Sequence, residues 1–274
     1  MSTFLELGLK APINNALTDL GYEKPTVIQE KAIPQIISST DDLKAFAQTG
    51  TGKTAAFSLP ILELLNEDNS NVQAIILSPT RELAVQIGNN IKEFSKYLKN
   101  VKVTTVYGGS SMEDQIRSLK KGSQIVVGTP GRTVDLINRR ALKLGNVQWL
   151  VLDEADEMLS MGFKQDLNRI LKFTTKSDRK TWLFSATMPD EIKRIVKTYM
   201  DLNAPRVEIY RNALVNANIR HQYARTTLKE KTDDIITFLE KRNAQRGIIF
   251  CRTKFVYVSI CEFLYICHID LRFI

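Results

Sequence analysis

Lys53 and Thr54 close the string Ala47-Gln48-Thr49-Gly50-Thr51-Gly52-Lys53-Thr54, and Asp153 and Glu154 stand side by side after a distant apolar run. An ammonium, a hydroxyl and two carboxylates are the side chains that hydrolysis of a nucleoside triphosphate requires. Glycines at 50 and 52 let backbone N–H groups converge on phosphate oxygens, and a helix starting there adds positive partial charge. Thr49, Gly50, Thr51 and Gly52 are therefore expected to wrap the phosphates, with Lys53 reaching the terminal ones and the Thr54 hydroxyl a ligand to Mg2+. Ala47 occupies a position where the general pattern has glycine, so the match is to a subclass. Of the two carboxylates, one holds the metal and the next positions or deprotonates the attacking water.

A second group of residues has a different chemistry. Pro79, Thr80, Arg81, Gly108, Gly109, Thr129, Pro130, Gly131 and Arg132 are small or basic, and they follow apolar runs. Backbone amides and guanidinium groups in such places hold sugar-phosphate. As a series they read as a phosphodiester track, and the lack of an evident base-edge reader implies sequence-independent binding. Upstream, Gln29 lies in Gly21-Tyr22-Glu23-Lys24-Pro25-Thr26-Val27-Ile28-Gln29. Its amide donates and accepts at once, which suits the edge of adenine.

Positioning these groups requires short strands alternating with amphipathic helices. Apolar runs at Leu43–Ala47, Val72–Leu77, Val101–Tyr107, Gln124–Val127, Val147–Leu152 and Thr181–Thr187 read as strands. Between them, Ala55–Leu65, Leu83–Leu98, Met112–Lys121 and Ile192–Tyr199 have helical periodicity, as do Phe4–Leu20 and the stretch from Pro25 or Thr26 to Ile37. Gly128–Arg132 reads as a turn. This is an α/β pattern with a mostly parallel sheet, whose ligands belong at the carboxyl ends of the strands. The pattern loosens over 205–218, which reads as a linker. A strand (Ile219–Thr226), a helix (Asp233–Lys241) and a strand (Gly247–Cys251) then begin a second α/β unit.

The chain has 274 residues, 43% of them hydrophobic and 25% charged, as in a water-soluble globular protein of one large or two modest domains. A net charge of +8 is compatible with a polyanionic partner. The start lacks a secretory signal pattern, and Phe255–Phe273 is interrupted by Glu262, His268, Asp270 and Arg272, too short an apolar run for a membrane span. Cys251, Cys261 and Cys267 form no disulfide framework, which argues for reduced thiols and a cytoplasmic setting. With His221 and His268 the only histidines, no ligand cluster for a transition metal forms.

Taken together, these motifs resemble the DEAD-box RNA helicases, a family named for the motif that stands here as Asp153-Glu154-Ala155-Asp156. Gly21–Gln29 with Phe4 upstream is similar to the family's adenine-reading Q motif, within residues 1–30. Ala47–Thr54 is similar to its phosphate loop. Pro79–Leu83, Gly108-Gly109 and Thr129–Arg132 match its RNA-contacting motifs. Ser185-Ala186-Thr187 matches the motif that couples hydrolysis to RNA handling, with Asp156 as the expected hydrogen-bond partner. The resemblance implies a RecA-like P-loop NTPase domain over 1–204, the linker over 205–218 and part of a second RecA-like domain over 219–274. It implies ATP and Mg2+ as cofactors and RNA as partner. Phe4 or Tyr22 would pack near an adenine read by Gln29, Asp153 and Thr54 would hold the metal, and Glu154 would direct the water.

One departure shapes the expected activity. After Lys254 the sequence leaves the family's pattern, and the arginine-rich motif that closes the second domain is not found before Ile274. The expectation is a truncated or frame-altered product, the alternative a short helix packed on two strands. Arginine fingers contribute roughly 10³–10⁵ in turnover in this class, so weak binding, slow hydrolysis and no strand separation are expected. Two other readings stay open: a nucleotide- or RNA-binding remnant without turnover, and a different phosphate-loop enzyme such as a DNA translocase, which the Gln29 string and the Asp-Glu-Ala-Asp motif oppose.

Overall fold

The computed structural model describes residues 3–39, 41–174, 178–209, 223–227, 230–240 and 249–251, with 256, 258, 260 and 261. The chain divides into two compact units, Met1–Arg211 and Asn212–Ile274. In the first unit a 3-10 turn (Phe4–Leu7) leads to α1 (Ala11–Asp19) and α2 (Val27–Ser38). Then follow β1 (Leu43–Phe46), α3 (Lys53–Leu64), β2 (Ala74–Leu77), α4 (Arg81–Phe94), β3 (Val103–Val106) and α5 (Met112–Lys120). The unit continues through β4 (Ile125–Gly128), α6 (Pro130–Asn138), β5 (Trp149–Leu152), α7 (Ala155–Ser160), α8 (Lys164–Phe173), β6 (Lys180–Ser185), α9 (Asp190–Tyr199) and β7 (Arg206–Glu208).

The seven strands form one sheet in the order β3-β4-β2-β5-β6-β1-β7, with all pairings parallel. Parallel strands covered on both faces must be apolar throughout, and β2, β4 and β5 are buried at every position. Successive side chains serve opposite faces. Ala74, Ile76 and Val151 pack with Ile33, Phe57, Ile87 and Phe94 of α2, α3 and α4. Ile75, Leu150 and Leu152 pack with Leu136, Met158, Ile170 and Ile195 of α6, α7, α8 and α9. The edge strand β3, Val-Thr-Thr-Val, is only alternately buried.

Register sets the functional edge level. Val106 pairs with Gly128, Gly128 and Leu152 both pair with Leu77, and Phe46 pairs with Ser185. Tyr107, Thr129, Ser78 and Asp153 thus each lie one residue beyond a level row of strand ends, while β1 and β6 run two residues further, since Leu152 pairs with Leu183 and Leu183 with Lys44.

Several expectations are corrected. Phe4–Leu20 is not one helix: Gly8, with φ +84°, ends the 3-10 turn, and Pro12 opens α1. The turn expected over Gly128–Arg132 is the end of β4 and the start of α6, with Pro130 preset for the first helical position. No helix is read between Asp156 and Thr181, yet α7 and α8 lie there; Gly162, at φ +87°, separates two apolar stretches each too short to stand out. The stretch read as linker opens with β7, whose residues 206–208 pair with β1. Pro205 suits that entry, because its carbonyl accepts from Lys44 N–H at 2.9 Å and no N–H is needed in return.

In the second unit α10 (Lys231–Glu240) stands where a helix is expected. Residues 223–227 and 249–251 are not in strands, since among the described residues no neighbour supplies them with ladder hydrogen bonds. Residues 219–222, 247–248 and most of the 255–274 tail lie outside the described residues. Among the described residues, no helix is long and apolar enough to cross a membrane.

Candidate functional site

The glycine-rich loop joins β1 to α3. Gly50 and Gly52 are both left-handed, at φ +79° and +94°. Gly52 has a further constraint: a Cβ there would lie 2.5 Å from Gln29 Nε2 and 2.8 Å from Thr26 Oγ1. Gln29 fills that space because it is fixed at both ends. Its Oε1 accepts from Thr26 N–H at 2.9 Å, closing the N-terminal cap of α2, and its Nε2 donates to the Gly52 carbonyl at 3.1 Å. At 2% exposure, Gln29 ties α2 to the loop. An amide has two donors and two lone pairs, so one of each is left over.

Lys53 is buried and donates to the Ala47 carbonyl at 3.3 Å, folding back over the loop it follows. Thr51 donates to the Gln48 carbonyl at 2.7 Å. Thr54, in the first turn of α3, is partly exposed. Asp153, beyond β5, is 2% exposed. Burial pushes its carboxyl up to about 7, against the opposing charge of Lys53 and with added repulsion from Glu154. The Glu154 N–H donates to Asp153 Oδ1 at 3.1 Å.

Glu154 adopts φ +51°, a left-handed conformation that costs a residue with a Cβ about 1–2 kcal/mol. Its Oε1 accepts from the Thr49 hydroxyl at 3.0 Å. The glycine-rich loop and the end of β5 are therefore joined by a side-chain hydrogen bond across two elements.

Asp156 and the end of β6 are also joined. Asp156 Oδ2 accepts from Thr187 N–H at 2.9 Å and from Thr187 Oγ1 at 2.7 Å, and Oδ1 accepts from Ala186 N–H at 3.4 Å. Ser185 Oγ accepts from Asp156 N–H at 3.3 Å and donates to the Thr187 carbonyl at 2.8 Å. Burial alone would raise the Asp156 carboxyl; hydrogen bonds, led by that from the Thr187 hydroxyl and joined by the Thr187 and Ala186 N–H groups, outweigh it and hold the group below the ordinary value.

At the other end of the row, α4 begins after Pro79. Thr80 caps it, its Oγ1 accepting from Leu83 N–H at 3.2 Å. Arg81 is exposed, with its guanidinium 4.8 Å from the centre of the Tyr107 ring. Gly108 and Gly109 are exposed beside it. Gly128 is closely packed: a Cβ there would meet Val106 Cγ2 at 2.6 Å and Thr133 Oγ1 at 2.7 Å. Thr129 is buried, its N–H donating to the Val106 carbonyl at 3.0 Å. Arg132 gives both terminal nitrogens to the Ser110 carbonyl, each at 3.2 Å. Pro130 and Gly131 are the first residues of α6.

The edge thus brings Thr49–Thr54, Asp153, Glu154, Asp156, Ser185 and Thr187 to the adjacent strands β5, β6 and β1. It brings Pro79–Arg81, Gly108, Gly109 and Thr129–Arg132 to the adjacent strands β3, β4 and β2. Phe4 is in the core, edge-on to Tyr22 at 6.1 Å, and Tyr22 is edge-on to Phe94 at 5.7 Å. Sequence reasoning passed over Tyr107, Ser110 and Gln115. Gln115 had a signal: it falls in helical phase with Met112, Ile116 and Leu119, a polar residue on an apolar face.

Residues 26–195 match the family model of DEAD/DEAH box helicases. The chain is 45% identical over 263 residues, 96% of its length, to ATP-dependent RNA helicase DeaD of Klebsiella pneumoniae, covering 40% of that protein. It is 48% identical over 255 residues, 93% of its length, to ATP-dependent RNA helicase CshA of Listeria monocytogenes, covering 48% of it. The chain spans about half or less of the length of these curated relatives. A DEAD box protein of the hyperthermophile Methanococcus jannaschii has a similar crystal structure, with TM-score 0.71 and 42% identity over 97% of this chain and 70% of that one. S. cerevisiae Dbp5 bound to RNA and ADP BeF3 superposes with TM-score 0.82 and 31% identity, over 97% of this chain and 67% of that one.

Proposed function

This chain belongs to the DEAD/DEAH box helicase family, and on that premise we propose that it binds ATP at one half of its sheet edge and RNA at the other. Hydrolysis of the first is used to remodel the second. The observation that carries this reading is the division of the edge, with the ammonium and carboxylates at β1, β5 and β6 and the exposed arginine and glycines at β2 and β3.

In this reading the N–H groups of residues 49–54 and Lys53 hold the phosphates, and the remaining donor and lone pair of Gln29 meet the adenine, with Tyr22 nearby. The oxygen-only set of Asp153 and Thr54 fits a hard divalent ion, and the burial that raises Asp153 favours a cation beside its charged form. Bound Mg2+ would supply charge neutralisation on the phosphates. Glu154, released from the Thr49 hydroxyl, orients and deprotonates the attacking water. Asp156 relays the state of that site to Ser185 and Thr187. Arg81, Gly108, Gly109 and the backbone of 129–131 take the sugar-phosphate without reading bases.

Residues 1–204 together with β7 serve as the ATP-binding domain, and 219–274 belong to a second domain. The proposed setting is cytoplasmic, in keeping with the free Cys251 and Cys261.

ATP turnover with and without single-stranded RNA, beside a Lys53→Ala control, tests the reading. RNA-stimulated turnover that the substitution abolishes is expected. Nucleotide binding without turnover would leave a binding remnant instead, and stimulation by DNA in place of RNA would point to a translocase.

A further inference from the structure

The proposed RNA track depends on a four-residue loop, 107–110, and three helices send side chains to it. From α5, the Gln115 amide donates to the Tyr107 carbonyl at 3.0 Å and to the Ser110 hydroxyl. From α6, Arg132 grips the Ser110 carbonyl with both terminal nitrogens. From α4, Arg81 lies over the Tyr107 ring, and a Cβ on Gly109 would be 3.6 Å from its Nη1. The two arginines differ in what they have left to offer. Arg132 is half-buried and engaged by the loop, whereas Arg81 is exposed and merely rests on it.

Gln115 is the least replaceable of these contacts. It is 7% exposed, and its orientation is dictated by its neighbours, because the reversed amide would set Oε1 against the Tyr107 carbonyl. Among the described residues, Oε1 is buried without a hydrogen-bond partner. A buried unpaired acceptor is destabilising, and a hydrophobic residue would avoid it. The amide therefore contributes something that an apolar side chain at this phase of α5 would not: two N–H bonds that span the loop from its first residue to its last.

We propose that Gln115 is a positioning residue of the RNA track: it fixes loop 107–110 so that Arg81, laid on Tyr107 and against Gly109, is presented to a backbone phosphate of single-stranded RNA. The proposal rests on the reading of this edge as the RNA site. Gln115 touches no RNA itself. Its effect is on the geometry of Arg81 and of the Gly108-Gly109 backbone, and the nucleotide loop at the far end of the row is outside its reach.

The test uses the full chain with Gln115→Met, which keeps the length and loses both donors, and Ser110→Ala, which removes one acceptor. Binding of a fluorescent RNA decamer is measured over a salt series, and binding of a fluorescent ADP is measured in parallel. Gln115→Met is expected to weaken RNA binding about tenfold, equivalent to about 1.4 kcal/mol, with ADP affinity unchanged. The slope of log K against log salt becomes shallower by about 0.7, the signature of one lost phosphate contact on a single strand. Ser110→Ala moves the same way by roughly two- to threefold. RNA affinity of Gln115→Met within twofold of the parent overturns the proposal, as does an equal loss of ADP binding. If Gln115→Met does not fold, unchanged RNA affinity in Ser110→Ala overturns it. A parent chain that binds ADP but no RNA overturns the RNA reading of the edge, and the proposal with it. A parent that binds RNA while Gln115→Met matches it overturns the proposal alone.

Discussion

Lys53 and Asp153 are 6% and 2% exposed at the ends of β1 and β5, whereas Arg81, Gly108 and Gly109 are exposed at the ends of β2 and β3. The same sheet edge therefore withdraws charge from water on one side and offers it to water on the other. The first half has the raised Asp153 carboxyl, the left-handed Glu154 and cross-element hydrogen bonds from Thr49 and Thr187. Buried charge interacts strongly with a ligand and is costly to leave unpaired. The second half has backbone geometry held from behind, by Thr80, Gln115 and Arg132, and an exposed guanidinium on a tyrosine ring. Exposed charge is screened and replaceable, so shape must supply what electrostatics does not. On the proposed reading, one half suits reaction at a defined point and the other suits holding a repeating polymer.

Substitutions separate the halves, and the largest effect is expected at Glu154. Glu154→Gln keeps size and hydrogen bonding but cannot take a proton, so ATP turnover should fall about 10²–10⁴-fold. ADP and RNA affinities should stay within a few-fold; a steady-state assay with parallel binding titrations measures both.

Asp153→Asn is next and acts on stability. The folded protein binds a proton at Asp153 up to about pH 7, against a reference of 3.8 for an exposed carboxylate. The folded state thus holds more protons than the unfolded state between these values, and stability falls as pH rises through that window. Below about pH 4 both states are protonated and the effect vanishes. Asn should match the parent near pH 4 and exceed it at pH 8 by about 1–4 kcal/mol, measured by denaturant melts in chelator-containing buffer.

The third effect falls on the other half. Gly128→Ala would drive a methyl against Val106 and Thr133, including the Val106 carbonyl at 3.0 Å. A loss of about 1–3 kcal/mol in unfolding free energy is expected. RNA affinity should drop and ADP affinity should not, because Gly128 sits between Val106 and Leu77, on strands away from the phosphate loop.

How far the sequence reveals this plan differs between the halves in the same way. Lys53, Asp153, Glu154, Ser185 and Thr187 are legible because their chemistry is in their side chains and each lies at or beyond the end of a mostly apolar run. The strand ends themselves were readable from burial on both faces. The support of the proposed track is less legible: Gln115 shows only as a polar residue on the apolar face of α5, and its bond to the Tyr107 carbonyl and the place of Arg81 on the Tyr107 ring depend on how the chain folds. Arg132, read as a phosphate ligand, also gives its terminal nitrogens to the Ser110 carbonyl, a contact that only the fold brings about. Strand β7 was hidden because three residues after a proline carry too little periodicity, and only the open edge of β1 makes them a strand. The role of Gln29 was partly visible: its residue type suits a base edge, but its hold on Gly52 depends on the turn of the loop.

The division of the edge is tested most directly by measuring each ligand alone on two variants of the full chain, Lys53→Ala and Arg81→Ala. Lys53→Ala should lose ADP affinity at least tenfold, a charge-assisted contact being worth about 1.5–3 kcal/mol, and keep its RNA affinity. Arg81→Ala should lose RNA affinity severalfold, with a shallower salt dependence, and keep its ADP affinity. Lys53→Ala that loses RNA binding in the absence of nucleotide, or Arg81→Ala that loses ADP binding in the absence of RNA, would contradict the account.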